Sequence, residues 1–224
     1  HVDMVYDTTK VSISKKDITN GDEIGGAHLI IVDSNKKIVD EWDSVEGESH
    51  LIEGKLIAGE TYKLTEITAP DGYYVAETIE FTVNEDGEVQ VVEMFDAPTE
   101  VHISKTDITG KEIPGAHLVL KDKDGNVVDE WTSEEGKTHI IEGKLIAGET
   151  YTLTEVLAPE GYTLAETIEF KVLEDGTITK VTMVDDYVPE TPTGDNSPIV
   201  FMSTLMLLSA AFFIELKKRQ YNVK

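Results

Sequence analysis

Between residues 9 and 187 the chain is written in short runs of alternating apolar and polar residues. "VSISK" (11–15), "HLIIVD" (28–33), "KIVDEW" (37–42), "YKLTEI" (62–67), "TIEFTV" (78–83) and "EVQVVEMF" (88–95) carry a period near two, which sends successive side chains to opposite faces of a strand. Between them lie "NG", "SNKK", "AG", "PDGY" and "EDG", whose Gly, Asn, Asp and Pro residues favour turns. No segment of this region keeps a helical period over ten residues or more. The pattern predicts an all-β fold.

The pattern also repeats. "YKLTEITAPDGY" at 62–73 returns as "YTLTEVLAPEGY" at 151–162, an offset of 89 that also relates Trp42 to Trp131 and one "EGKLIAGETY" (53–62) to the other (142–151). "ISKKDITNGDEIGGAHL" at 13–29 matches "ISKTDITGKEIPGAHL" at 103–118 with one residue fewer. A unit of about 90 residues is a whole domain and not a solenoid repeat. Two tandem β-sandwich or barrel-like domains are therefore expected, over residues 9–97 and 98–187. The opening "VDMVYDTTKVSISK" resembles "VEMFDAPTEVHISK" at 92–105, the junction between the repeats. On that likeness residues 1–8 are expected to hold the last strand of a further, preceding repeat, with the strand at 2–7 and Asp7 as its acid.

Alternation places ionisable groups on apolar faces. Lys15 shares a face with Val11 and Ile13, and Lys105 with Val101 and Ile103. Glu66 follows Tyr62 and Leu64; Glu155 follows Tyr151 and Leu153. Asp96 follows Val92 and Met94, and Asp185 follows Val181 and Met183, which favours it over the neighbouring Asp186. Each domain thus points a Lys, a Glu and an Asp inward. Unpaired buried charge is costly, so such a trio must be neutralised, paired or consumed. Burial disfavours the charged form of amine and carboxyl alike. A neutral amine held against a protonated carboxyl can condense with it to an amide and water. The Glu would then polarise the acid and shuttle protons, while the fold supplies proximity. Lys15–Asp96 and Lys105–Asp185 are the expected cross-links, with Glu66 and Glu155 as the internal catalysts.

Composition narrows the remaining choices. The 224 residues carry 19 Lys and Arg against 44 Asp and Glu, a formal charge of −25, which argues against nucleic-acid binding. The absence of cysteine removes disulfides and thiol chemistry. His28 and His117 recur, as do His50 and His139, but without a metal-ligand spacing, and they read as surface or packing residues. "DSN" (33–35) and "DKDGN" (122–126) lack the full ligand spacing of a calcium loop and read as hairpin turns. No cofactor and no metal is expected.

These motifs resemble the B-type domains of the collagen adhesin Cna, also called SpaA-like or prealbumin-like domains, of Gram-positive surface proteins and pilins. "LTEITAPDGY" and "LTEVLAPEGY" are similar to that family's L-x-E-T-x-A-P-x-G-Y box, with Ile67 or Val156 where Thr is usual. "ISKKD" and "ISKTD" resemble its first strand with the reactive lysine; "EMFDA" and "TMVDDY" resemble its last strand with the acceptor acid. The resemblance implies a prealbumin-like sandwich for each repeat and the triads Lys15–Glu66–Asp96 and Lys105–Glu155–Asp185.

After Tyr187 the character of the chain changes. A polar, Pro-rich linker (188–198) leads to sixteen largely apolar residues, Ile199 to Ile214, and to a basic tail (215–224) with Lys217, Lys218 and Arg219. One short transmembrane helix with the tail in the cytoplasm is expected. Linker, span and basic tail resemble a sortase sorting signal, although "VPETP" (188–192) and "TPTGD" (191–195) both depart from L-P-x-T-G. Cleavage is expected between Thr193 and Gly194, with a plain membrane anchor as the alternative. The leading functional reading is a structural stalk, braced by isopeptide bonds, extracellular and joined by sortase to peptidoglycan, with a single membrane pass before processing. A basal or minor pilin is the alternative, as is an adhesin whose repeats, or an upstream region, contact host extracellular matrix. An enzyme acting on external substrates is the least favoured class, because every chemical residue assigned is used within its own domain.

Overall fold

The computed structural model describes residues 8–188. The strand expected at 2–7 with Asp7, the Thr193–Gly194 bond, the apolar span at 199–214 and the basic tail at 215–224 lie outside them, as does all but the first residue of the linker.

Among the described residues the regular structure is all β, in two copies of one seven-strand plan. The first repeat contains β1 (Lys10–Asp17), β2 (His28–Val32), β3 (Ile38–Asp43), β4 (His50–Glu53), β5 (Thr61–Thr68), β6 (Ile79–Thr82) and β7 (Val89–Asp96). The second contains β8 (Glu100–Asp107), β9 (His117–Lys121), β10 (Val127–Thr132), β11 (His139–Glu142), β12 (Thr150–Leu157), β13 (Ile168–Lys171) and β14 (Thr179–Asp185). In each repeat a three-stranded sheet faces a four-stranded one. The orders are β4-β1-β7 and β3-β2-β5-β6, then β11-β8-β14 and β10-β9-β12-β13.

All neighbours are antiparallel except one pair per repeat. The first and last strands, β1 with β7 and β8 with β14, run parallel. Lys15 lies opposite Met94 in this register, and Asp17 opposite Asp96. Lys15 and Asp96 therefore project inward two residues apart along neighbouring strands, within diagonal reach.

The inner faces close on separate cores. Val11, Ile13, Leu29, Ile31, Leu64 and Met94 are among the residues that fill the first. Val101, Ile103, Leu118, Leu120, Leu153 and Met183 occupy the matching places of the second. Two features depart from the sequence pattern. β4 and β11 are strands that the alternation does not announce: each has four residues, and only Ile52 or Ile141 is buried. The register also slips immediately after each inward Glu, leaving Ile67 and Val156 as bulge residues. Both are about half exposed, at 52%. The bulge turns these side chains away from the core, so a Thr-to-Ile or Thr-to-Val change there leaves the interior untouched.

The sequences at 33–35 and 122–126 form hairpin turns. Asp33 Oδ1 accepts hydrogen bonds from Asn35 N and Lys37 N, each at 2.9 Å. Asp122 does the same for Asp124 N and Asn126 N at 2.9 and 2.8 Å. These carboxylates are committed to their own backbone.

Because the cores are separate, damage to one should stay local. Leu153→Ala removes a fully buried side chain from the second core and should cost roughly 3 kcal/mol. Calorimetry should then show the transition of repeat 2 shifted downward and that of repeat 1 in place.

Candidate functional site

Each repeat carries a buried cluster of three ionisable groups at one end of its sandwich. Lys15 comes from β1 and Asp96 from the neighbouring β7, while Glu66 reaches across from β5 in the opposite sheet. All three are buried: Lys15 is 2% exposed, Glu66 4% and Asp96 0%. Lys15 Nζ meets Asp96 Oδ1 directly. Glu66 Oε1 lies 3.0 Å from the same nitrogen. The second repeat reproduces this with Lys105 against Asp185 and Glu155 Oε1 at 3.1 Å.

Local folding holds each member. The Lys15 backbone is clamped from the loop after β1: Lys15 N donates to Glu23 Oε2 at 2.9 Å, and Ile24 N donates to Lys15 O at 2.8 Å. Lys105 has the same clamp from Glu112 and Ile113. The glutamates are held by backbone amides. Ala76 N donates to Glu66 Oε2 at 2.5 Å, and Ala165 N to Glu155 Oε2 at 2.7 Å. The "APDGY" and "APEGY" turns make this possible, since they reverse the chain just after β5 or β12 and bring it back past the Glu.

The remaining oxygens decide the protonation state. Glu66 Oε1 is near Lys15 Nζ but outside hydrogen-bond geometry. It and Asp96 Oδ2 are buried without a hydrogen-bond partner among the described residues, as are Glu155 Oε1 and Asp185 Oδ2. Leaving such atoms unsatisfied costs free energy, which favours a protonated aspartate at this depth. Burial pushes the Asp96 carboxyl up to about 7, against the pull of Lys15 and with a further push from Glu66. Burial raises Asp185 likewise, with Lys105 opposing and Glu155 adding to the rise. The cluster thus joins an amine, an aspartate carboxyl that burial pushes above its usual range, and a second carboxyl beside the amine.

A third carboxyl group, Asp17 or Asp107, flanks each cluster and escapes the alternation argument. Asp17 is buried and accepts hydrogen bonds from Thr19 N and Thr19 Oγ1, each at 2.6 Å, and from Tyr73 OH at 2.9 Å. Burial pushes its carboxyl up, but these donors outweigh it and hold the group below the usual range. Tyr73 is in turn pushed up to about 12, by burial and by Asp17. In repeat 2 the donor changes. Tyr187, in the segment after β14, bonds Asp107 at 2.9 Å, and Tyr162 packs against its ring at 4.9 Å. Repeat 1 has Pro98 at the position of Tyr187, with no hydroxyl to offer. Hydrogen bonds from Thr109 chiefly, and from Tyr187, hold Asp107 down at about 2.

The repeated histidines pack and pair. His50 stacks on Trp42 at 4.1 Å and contacts Asp40 Oδ2 at 2.9 Å; His139 stacks on Trp131 at 4.0 Å and contacts Asp129 Oδ2 at 3.0 Å. His28 lies 2.7 Å from Asp43 Oδ1 and His117 lies 2.7 Å from Glu130 Oε1, on the surface. No group of three or more possible metal ligands occurs among the described residues.

Comparison with solved structures finds several bacterial proteins at low identity. The Bacillus anthracis TIE protein matches 81% of this chain at 24% identity and a TM-score of 0.48; the chain spans 34% of that protein's length. The shaft pilin SpaA of Lactobacillus rhamnosus GG matches 83% of this chain and 99% of its own, at 13% identity and a TM-score of 0.40. The C-terminal fragment of the pilus adhesin SpaC from the same organism matches 82% of this chain and 100% of its own, at 15% identity and a TM-score of 0.45. No curated protein matches the chain. The SpaA prealbumin-like fold domain matches twice, over residues 9–98 and 99–187. Two consecutive matches over most of the length, on a chain with two copies of one sandwich, mean that the chain belongs to the SpaA prealbumin-like domain family.

Proposed function

We propose that each repeat forms its own amide bond between lysine and aspartate, and that the chain is a covalently braced stalk at the surface of a Gram-positive cell. The observation that carries this reading is the dry contact of amine and carboxyl with a second carboxyl beside both, made once in each repeat. In the proposed reaction the neutral Lys15 Nζ attacks Asp96 Cγ, and the new C–N bond forms as the carbonyl oxygen takes the charge. Glu66 accepts one proton from Nζ and delivers it to the departing hydroxyl. The C–O bond breaks, water leaves, and the amide retains the other hydrogen. The Ala76 amide keeps Glu66 aimed during both transfers. Lys105, Asp185, Glu155 and Ala165 take the same roles in repeat 2. Preorganised contact and exclusion of water supply what a free amine and acid in solution lack.

Family membership supports the surface-protein reading, since these domains build pilins and stalks. A bond linking strands of one repeat adds about 4–5 kcal/mol on the chain-entropy account of loop closure. It also carries tension through covalent bonds instead of strand ladders. The C-terminal segment would give the address: sortase would cut between Thr193 and Gly194 and join the chain to peptidoglycan, after residues 199–214 have held it in the membrane.

Three measurements test these proposals. Intact mass of folded residues 9–187 should fall short of the encoded mass by two waters, and Glu155→Ala should restore one; a full encoded mass in the wild-type protein refutes the cross-link. Lys15→Met leaves Asp96 buried without its amine. Burial raises this carboxyl to about 7 even with Lys15 opposing, so loss of the amine raises it further; its stabilising contribution, full below the unfolded value near 4, is lost as pH rises toward that raised folded value. Repeat 1 of that variant should therefore be less stable at pH 8 than at pH 5, by on the order of 2 kcal/mol, and adding Asp96→Asn should flatten the profile. Finally, deleting residues 188–224 should leave the melting of both repeats unchanged while releasing the protein from the wall of a sortase-bearing host. Full-length protein that detergent alone extracts, tail intact, would make the segment a plain membrane anchor.

A further inference from the structure

The joint between the repeats is built as a key in a socket. Only three residues separate β7 from β8. Thr99, in that connection, is 1% exposed. Its N–H donates to Gly72 O at 2.8 Å, its hydroxyl donates to Leu145 O at 2.5 Å, and its carbonyl accepts from Gly143 N at 2.9 Å. Repeat 1 supplies the key from its "DGYY" turn. Gly72 sits at φ +85, and a Cβ there would lie 2.2 Å from Gly143 O, so the turn reaches this depth only as glycine. Tyr74, 6% exposed, donates its hydroxyl to Thr177 O at 3.0 Å and accepts from Glu100 N at 3.4 Å.

Repeat 1 carries the same socket at its own N-terminal end. Thr9 corresponds to Thr99, Leu56 to Leu145 and Gly54 to Gly143. Thr9 Oγ1 donates to Leu56 O at 2.5 Å and Gly54 N to Thr9 O at 2.9 Å, the bonds seen at the joint. Glu88 and Lys10 correspond to Thr177 and Glu100, the residues that hold the Tyr74 hydroxyl. In repeat 1 these two line a cleft of about 290 Å³, ample for a phenol ring. The key is not duplicated. Where repeat 1 reads Gly72–Tyr73–Tyr74, repeat 2 reads Gly161–Tyr162–Thr163; both Tyr74 N and Thr163 N bond the chain after the last strand, but the short Thr163 side chain also turns back, its hydroxyl donating to Asp186 O at 3.1 Å.

We infer that the N-terminal face of repeat 1, formed by Thr9, Lys10, Gly54, Leu56 and the turn through Glu88, is a docking socket for the Gly-Tyr-Tyr turn of another repeat of this kind placed directly upstream. A second copy of this chain cannot fill it, because its own key is already seated in its own joint. A copy of repeat 2 lacks the tyrosine. The inference is independent of the cross-link.

The test joins a copy of residues 9–98 directly to Thr9 of the chain, so that the new junction repeats the sequence spacing of the existing one. The chain has no cysteine, so spin labels can be placed at Lys63→Cys in the added copy and in repeat 1. Electron–electron resonance should give one narrow distance distribution. Tyr74→Ala in the added copy should abolish the narrow peak, while calorimetry shows that the added copy still folds; Gly72→Ala there is the second variant and should act likewise. A copy of residues 99–187 in the same place, labelled at the equivalent Thr152→Cys, should give a broad distribution. A broad distribution with the copy of residues 9–98, or a narrow one that survives both substitutions, overturns the inference.

Discussion

Placing a lysine nitrogen between two carboxyls where water does not reach sets an electrostatic problem for each repeat. Three ionised groups in so small a dry space would leave a net negative charge and two carboxylate oxygens without donors. Burial of this kind is tolerated only when partners and protons satisfy every group. A protonated Asp96 carboxyl would ease that burden, and it is the state that the proposed condensation needs. The raised carboxyl of Asp96 follows from the same constraint that orders the site.

The surrounding architecture serves to assemble this cluster. The three residues lie far apart in sequence, and only a sandwich whose first and last strands are neighbours brings Lys15 against Asp96. The opposite sheet then has to present Glu66 at the same depth, and the bulge at Ile67 ends the regular pairing just after it. The returning turn does two tasks in one short segment. It offers the Ala76 amide to Glu66 and the Tyr73 hydroxyl to Asp17. Repeat 2 keeps the first arrangement and changes the second, taking its hydroxyl from Tyr187. The bond to the flanking aspartate is thus retained while its donor has moved to a different part of the chain.

Much of this was legible in the alternation of the sequence. Lys15, Glu66 and Asp96 end apolar stripes, and a period of two fixes their face once the strands exist. The duplication made each placement checkable against a second copy. Strand β4 was not legible, because four residues with one buried side chain carry too little pattern. The amides of Ala76 and Ala165 left no trace, since a backbone donor has no residue code. Asp17 shares the parity of Lys15, but an acid at a strand end is ordinarily solvated, so nothing in the pattern marks its burial under Thr19 and Tyr73. The joint was hidden for a different reason: Gly72 and Tyr74 act on a neighbouring repeat and contribute little to the pattern of their own.

The parallel pairing of first and last strands also decides how much length a repeat can give up. Tension enters at the start of β1 and leaves at the end of β7, so the two strands are loaded in shear. Lys15 and Asp96 are 81 positions apart along the chain but touch in space. With an amide between them, everything from one to the other becomes a closed loop outside the path of force. Fully drawn out, that loop would measure roughly 270–290 Å. A repeat closed by the proposed amide would therefore withhold its slack and respond to flow or shear as an inextensible tether, where the same sandwich without the bond would pay out as a spring.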